Sequence, residues 1–426
     1  MAGDGCNEAV VAVSSRISAL ATASSLLTAA AVRERAHRIY ELGIEGELEH
    51  FEVHLERLPA TADFVLETMR TNYPELDMPF HSRWRHFEAG GIARWAGLAE
   101  AAGLTEDPVR FGRAAYDLAI VGVLLDAGAG PDWRYVEPAT GETFVRSEGL
   151  GVASFAMFAS GLFSSDPADP LRADAAALAA LTAEELGDGF QSGPDNPIVG
   201  LEGRVQLLNA LGRAVAERAD IFGEDEARPG GLFDKAVEGA VDGKVAAPDV
   251  LKLVLDGLGS IWPSRIMLDG VALGDTWRHA KLVTDDDTTH LVPFHKLSQW
   301  MTYSLLEPLI WTGVEVVDVD GLTGLPEYRN GGLFIDMGVL VPRAPDAATR
   351  LWRAGDEFIV EWRALTVALL DHTADMIRER LGVDSIALPL AKVLEGGTWS
   401  AGRRIAAQKR EGGGPPLRIE SDGTVF

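Results

Sequence analysis

A stripe of polar side chains along one segment combines residue types that can do acid–base chemistry with a spacing that brings them together. Its members are Lys296, Gln299, Tyr303 and Glu307. Residues three, four or seven positions apart lie on one face of a helix, so the segment is predicted to be a helix with Pro293 in its first turn. The other positions of this helix are mostly apolar. The stripe is therefore either a solvated face or part of the wall of a site.

A second segment, 322–332, combines a carboxylate with hydrogen-bonding groups between chain breakers. The run Glu-Tyr-Arg-Asn at 327–330 follows a proline and precedes two glycines. Glycine lets the backbone approach a ligand closely, which favours a functional loop. The alternative is a capped turn in which Glu327 and Arg329 are exposed.

A cluster at 80–87 mixes aromatic and cationic side chains, among them His81 and Trp84. Such a mixture suits stacking on a planar ligand and holding an anion. The alternative is the start of a helix with Trp84 and Phe87 in the core.

Two further groups of residues have the same ambiguity. Trp399 and Arg403 belong to a run in which an arginine pair either contacts a phosphate or neutralises an acidic surface. Glu361 and Arg363 stand two positions apart on a predicted long helix. They either form a structural ion pair or line a cleft.

Signatures of metal, nucleotide and acyl-transfer sites are missing from the sequence. The nine histidines form no His-Glu-x-x-His motif, and the single cysteine, Cys6, rules out multi-cysteine sites and an intramolecular disulfide. No P-loop, dinucleotide fingerprint or Gly-x-Ser-x-Gly elbow occurs. We therefore predict no metal and no cofactor.

The composition describes a folded, acidic protein. Hydrophobic residues make up 47% and charged residues 24% of the 426 positions, which is ordinary for a globular chain. The net charge of −26 disfavours nucleic acid and anionic membranes as partners. No apolar run is long enough to cross a membrane, and Asp4 and Glu8 replace the basic start of a signal peptide. A cytoplasmic location is expected.

Helical patterns dominate the chain and predict a mainly α fold, with residues 1–426 forming one large helical domain. Ala-rich sequence at 9–42 and apolar periodicity at 109–126 and 345–381 predict helices. Residues 132–146 read as two short strands around a Gly-containing turn, which predicts a small inserted β-hairpin.

Four sequence blocks resemble the uracil catabolism protein 4 family, a group from a fungal and bacterial pyrimidine-degradation pathway. The resemblance covers nearly the whole chain. The blocks are Phe80-His-Ser-Arg-Trp-Arg-His-Phe87, Pro293-Phe-His-Lys-Leu-Ser-Gln-Trp300, Leu325-Pro-Glu-Tyr-Arg-Asn-Gly-Gly332 and Leu394-Glu-Gly-Gly-Thr-Trp-Ser-Ala-Gly-Arg403.

A more distant resemblance links the chain to the queuosine 5′-phosphate N-glycosylases, also called queuosine salvage proteins. The order of the blocks at 201–212, 294–299, 326–329 and 361–363 is similar in both. Those enzymes are all-helical and hydrolyse the bond between a base and ribose 5-phosphate. They have a lysine at the place of Lys296 and Asp-Tyr-Arg where this chain has Glu327, Tyr328 and Arg329. They also tend to carry an acidic residue at the place of Tyr303 and Ser304.

The resemblance implies an N-glycosyl hydrolase with Glu327 and Lys296 as catalytic residues. Cleavage of an N-glycosidic bond develops oxocarbenium character, which a carboxylate can stabilise, attack, or relieve by activating water. Proton donation to the leaving nitrogen falls to Lys296, Tyr328 or His295. The implied substrate-binding residues are His81, Trp84, His295, Gln299, Tyr303, Tyr328, Arg329, Asn330, Glu361, Arg363, Trp399 and Arg403.

The implied substrate is ribosylurea or its 5′-phosphate, a small ribosylated molecule that would be split into urea and the sugar. Arg329, Arg403 and the histidines of 81–86 are the candidates for holding a phosphate. Two other hypotheses stay open at this point: an amide or ureide hydrolase of the same pathway, and a non-catalytic protein that binds a pathway enzyme. The sequence does not fix the oligomeric state.

Overall fold

The computed structural model describes residues 22–224, 226–262 and 265–420. Cys6 and residues 9–21 of the Ala-rich segment lie outside this range. The described part is mainly α-helical, as the hydrophobic periodicity predicts, with strands only in two-stranded pairs.

The helices follow one another along the chain and are joined by turns, short strands and loops of different lengths. In the first half they are α1 (Ala29–Ile44), α2 (Leu58–Asn72), α3 (Trp84–Phe87), α4 (Arg94–Ala101), α5 (Pro108–Leu124), α6 (Arg146–Ala159), α7 (Ala175–Ala180), α8 (Ala183–Gly189) and α9 (Leu201–Glu217). In the second half they are α10 (Ala219–Phe222), α11 (Gly231–Glu238), α12 (Ala247–Leu258), α13 (Lys296–Trp311), α14 (Tyr328–Asp336), α15 (Glu357–Leu381), α16 (Leu390–Val393), a π-helical turn (Leu394–Thr398) and α17 (Trp399–Lys409). Single 3₁₀ turns lie at Leu55–Arg57, Ala89–Gly91, Leu104–Glu106, Gly259–Ile261, Val319–Gly321 and Glu411–Gly413.

The strands pair across large and small distances in sequence. The antiparallel pairs are β1 (Phe51–Val53) with β10 (Leu340–Pro342), β2 (Tyr135–Val136) with β3 (Thr143–Phe144), β5 (Met267–Leu268) with β6 (Val271–Ala272), and β7 (Thr276–Arg278) with β8 (Leu291–Pro293). The parallel pairs are β4 (Lys244–Ala246) with β9 (Glu315–Val317), and β11 (Leu351–Arg353) with β12 (Arg418–Glu420). The pair β2–β3 confirms the predicted hairpin.

Two predicted boundaries are wrong for the same physical reason. Pro293 ends strand β8 instead of starting a helix, and α13 begins at Lys296. The long helix begins at Glu357, and part of the segment predicted to precede it forms β11. In both places a strand pairs with a segment outside the periodic run, β8 with β7 and β11 with β12, which a local periodicity does not reveal.

Helices α13 and α15 hold the core. Nearly every residue of α13 is buried, and it packs against α5 and α12. Helix α15 buries its predicted apolar positions, among them Phe358, Trp362 and Leu365, and packs against α1 and α2. One continuous core cluster runs from Ala29 to Leu417. The assignment of the whole chain to one domain stays a prediction.

None of the helices within the described residues combines the length and the apolar character that a membrane span needs.

Candidate active site

Lys296 is placed by an unusual start of helix α13. The preceding residue, His295, has a left-handed backbone conformation with φ 46° and gives the helix no side-chain cap. Asp275 supplies the cap instead, because its Oδ2 accepts a hydrogen bond from the Lys296 amide at 3.0 Å. Arg363 in turn donates two hydrogen bonds to the same carboxylate, at 2.8 and 2.7 Å. The first turn of α13 is therefore held by a buried ion pair.

Glu327 is the N-cap of helix α14 and lies almost fully inside the protein. One carboxylate oxygen accepts a hydrogen bond from the Arg329 amide at 2.7 Å, and the other accepts one from the Asn330 amide. A side-chain oxygen that satisfies the free amides of a first helical turn is held in one orientation. The sequence alternative of a capped turn is thus correct in its cap, but the carboxylate is buried.

A cavity of about 490 Å³ brings the two predicted catalytic residues together. Its walls include both acidic and basic groups as well as aromatic rings. The residues relevant to chemistry are His81, His86, Asp126, Arg146, Lys296, Trp300, Glu327, Tyr328 and Trp399. The rest of the wall comes from the loop 127–131, from the start of α6, from Leu325 and from residues 415–419.

Burial shifts the proton affinities of Glu327 and Lys296 toward each other. It raises the pKa of Glu327, against the opposing effect of the two backbone N–H groups and Lys296. It lowers the pKa of Lys296, against the opposing effect of the Glu327 carboxylate. A carboxylate that binds a proton more readily and an ammonium that releases one more readily are suited to general base and general acid roles.

His81 and Trp399 form an adjoining part of the wall. The Glu395 carboxylate lies 2.6 Å from His81 Nδ1, and the His81 ring centre lies 5.7 Å from that of Trp399. Glu395 belongs to the π-helical turn before α17, a type of irregularity that is frequent at functional sites. The carboxylate fixes the orientation of the imidazole, as expected for a histidine that contacts a ligand.

A smaller space of about 250 Å³ shares His81, His86 and Trp399 with the cavity. Glu395 and Phe144, the last residue of strand β3, also line it. The predicted hairpin therefore borders the site from this side.

Three predicted substrate-binding residues are instead hydrogen-bonded inside the protein, next to the loop that carries Glu327. The side-chain amide of Gln299 exchanges hydrogen bonds with Thr323, at 2.7 and 2.8 Å. The Tyr303 hydroxyl donates to the Thr323 carbonyl at 3.0 Å, and Asn330 donates to the Leu325 carbonyl at 3.0 Å. The polar stripe of α13 is therefore not a solvated face: part of it anchors the Glu327 loop.

Trp84 and His295 lie outside the cavity lining. Trp84 is fully buried in the core and donates a hydrogen bond to the Ser304 carbonyl at 2.7 Å. His295 Nε2 bonds to the Leu26 carbonyl at 2.8 Å. These contacts assign both side chains to the packing of the fold.

Glu361 and Arg363 do not pair with each other. Glu361 accepts hydrogen bonds from the His50 and Phe51 amides at 3.1 and 2.8 Å and lies 3.1 Å from His279 Nε2. Arg363 pairs with Asp275, as described above. Both residues support the elements around the cavity and are absent from its lining.

Arg329 and Arg403 are also engaged by other groups. Arg329 donates to the Gly413 carbonyl at 2.7 Å, and the Arg403 guanidinium lies 3.1 Å from Glu148 and over the Trp399 ring. Neither arginine lines the cavity. Arg146, at the start of α6, is the arginine that does.

Asp126 and Trp300 line the cavity but are not among the predicted site residues, whereas His86, which also lines it, is one of the predicted phosphate candidates. Trp300 lies inside a sequence block that carries the family resemblance, next to the predicted residue Gln299. Asp126 ends the apolar segment before a run of glycines, and this loop position is its only sequence signal. No group of His, Cys, Asp and Glu side chains suited to a metal ion occurs within the described residues.

Comparison with known proteins assigns the family. A family model described as a protein of unknown function (DUF1688) matches residues 25–426. The chain belongs to the DUF1688 family. It is 40% identical to the protein urg3 of Schizosaccharomyces pombe over 416 residues, which cover 95% of this chain and 99% of the relative. It is 38% identical to uracil catabolism protein 4 of Lachancea kluyveri over 428 residues, which cover 93% of this chain and 97% of the relative.

Proposed function

We propose that this DUF1688 protein acts in uracil catabolism as an N-glycosyl hydrolase that cleaves a ribosylurea-type intermediate into urea and the sugar. A relative that shares 38% identity over nearly the whole chain bears the name uracil catabolism protein 4, which supports the pathway. The observation that carries the reaction is the cavity in which Glu327 and Lys296 meet. Its volume falls in the range of small-molecule sites, roughly 300 to 1,000 Å³.

The reaction follows from the protonation states of these two groups. Glu327 takes a proton from water, whose oxygen then bonds to the anomeric carbon. The bond between this carbon and the urea nitrogen breaks, its electron pair goes to nitrogen, and Lys296 delivers a proton there. Glu327 passes its proton back to Lys296 by way of solvent, so that the net reaction consumes one water.

Lys296 suits the role of general acid better than Tyr328 does. Burial lowers the pKa of Lys296, which eases proton release, whereas burial raises the pKa of the Tyr328 hydroxyl. Tyr328 is 37% exposed and lines the cavity, where its hydroxyl can bond to the sugar. His81 and Trp399 offer a polar group and an aromatic face to the remainder of the substrate.

The test is to incubate the purified protein with ribosylurea and with its 5′-phosphate, and to follow urea and reducing sugar. Equimolar release of both is expected. Glu327→Gln keeps the size and removes the charge, and should lower kcat by roughly 10³-fold, about 4 kcal/mol of barrier. Comparison of the two substrates tells whether a phosphate contributes to binding, for which Arg146 is the candidate arginine in the cavity lining.

Glu361→Gln is the matched control, because Glu361 is a buried glutamate outside the cavity lining. It should keep kcat within about threefold while lowering stability. Equal losses in both variants would contradict the assignment of Glu327. Ammonia without free sugar would indicate a ureide hydrolase, and binding without turnover would indicate a non-catalytic protein.

A further inference from the structure

Arg83 is a fully buried cation beside the cavity. Its Nη1 atom lies 2.9 Å from Asp126 Oδ1 and 3.3 Å from the Ser147 carbonyl oxygen. The same atom lies 3.1 Å from Nδ1 of His86, a residue that lines the cavity. Asp126 and Ser147 thus fix the guanidinium against the imidazole.

This contact determines where His86 carries its proton. Arginine has donors only and stays protonated in proteins, so Nδ1 of His86 accepts the hydrogen bond and the proton of the neutral ring lies on Nε2. Within the described residues Nε2 has no hydrogen-bond partner.

The ring stays neutral over the ordinary pH range. Burial, and then Arg83, lower the pKa of His86 to about 3. The other groups that act on it are Glu148 and Glu395, which raise the pKa, and His81, which lowers it. A neutral imidazole with a fixed Nε2–H is a hydrogen-bond donor that does not switch with pH.

We propose that His86 is a further catalytic residue, whose Nε2–H donates a hydrogen bond to the carbonyl oxygen of the departing ureido group. The inference rests on the proposed function. When the glycosidic bond breaks, its electron pair on nitrogen is delocalised onto this oxygen, and a donor placed there stabilises the developing charge. The proton stays on His86, while Lys296 protonates the nitrogen. Arg83 and Asp126 act as positioning residues.

The activity test compares His86→Phe with His86→Gln. Phenylalanine keeps a planar ring without the donor, and kcat for urea release from ribosylurea should fall by about 10²-fold. Glutamine retains an N–H donor, so kcat of His86→Gln should be at least tenfold higher than kcat of His86→Phe. Turnover by His86→Phe at the wild-type rate overturns the inference alone. Absence of turnover by the wild type overturns the proposed function and the catalytic role of His86 together.

The proton position has its own test by ¹⁵N NMR of the histidine side chains. The signals that disappear in His86→Phe identify His86 among the nine histidines. They should show a neutral ring with its proton on Nε2 from about pH 5 to 8. In Arg83→Met the pKa of His86 should rise, because the adjacent cation is gone. A proton on Nδ1, or titration of the wild-type ring in this range, overturns the inference whatever the activity.

Discussion

Two buried polar regions meet at the first turn of α13, and they differ in how their groups are paired. On the support side, Asp275 and Arg363 share two hydrogen bonds, and Glu361 accepts bonds from two amides and contacts His279. On the cavity side, Trp300 Nε1 is buried without a hydrogen-bond partner among the described residues.

The difference shows how to separate structural from functional polarity. Both sides contain acidic and basic side chains, so residue type does not distinguish them. A buried polar group normally has a partner, because an unmade hydrogen bond costs about 1 to 3 kcal/mol. Buried polar groups that border a cavity and lack a hydrogen-bond partner therefore indicate a ligand, whereas buried polar groups that bond to one another indicate a structural role.

The largest expected effect comes from breaking the support side with Asp275→Asn. Arg363 would remain as a buried cation without its counter-charge, which should lower the free energy of unfolding by about 4 kcal/mol. Urea denaturation followed by circular dichroism measures this change. Glu67→Gln, at an exposed ion pair with Arg404, is the control and should cost less than about 1 kcal/mol. Similar costs for both variants would mean that the support pair contributes little.

A second prediction extends the comparison to the far end of α13. Burial raises the pKa of Glu307 to about 7, although Arg85 and Ser82 contact its carboxylate. The pKa of Glu307 is higher in the folded state than in the unfolded chain. Protonated Glu307 therefore contributes to the free energy of unfolding at acidic pH, and this contribution is lost as pH rises toward 7. Relative to Glu307→Gln, the wild type should lose about 3 kcal/mol between pH 4.5 and 7.5. Thermal melts across this range measure the difference, and parallel curves for both proteins would contradict it.

The smallest expected effect is on the pH profile of the proposed reaction. The apparent pKa of the acid limb of the kcat/KM profile should lie above the usual pKa of a glutamate, because activity needs ionised Glu327 and burial raises its pKa. The apparent pKa of the basic limb should lie below the usual pKa of a lysine, because activity needs protonated Lys296 and burial lowers its pKa. Lys296→Arg should remove the basic limb. Limbs at the values of free side chains would assign the acid and base to other groups.

The sequence predicted the helical architecture, the hairpin and two residues that line the cavity. It could not assign the polar stripe of α13, for a geometric reason. Lys296 and Tyr303 share a face, but seven residues rise about 10 Å along a helix. The first turn therefore reaches the cavity, while Tyr303 reaches Thr323 behind it.

The residues that the sequence did not reveal depend on contacts between distant segments. Asp126 is held beside the cavity by its ion pair with Arg83, which lies 43 residues earlier in the chain. Arg363 and Glu361 are close in sequence, but they do not pair with each other. Arg363 pairs with Asp275, and Glu361 contacts His279. Ion pairs between separate elements leave no periodic pattern in the sequence, so the sequence alone does not predict them.

The walls of the cavity are contributed by segments spread from His81 to Ile419. If any one of these segments unfolds locally, the cavity loses part of its ligand-binding surface. A substrate analogue should therefore protect sites all along the polypeptide from protease, including sites far from the cavity, because it binds the assembled form and not its partly opened states.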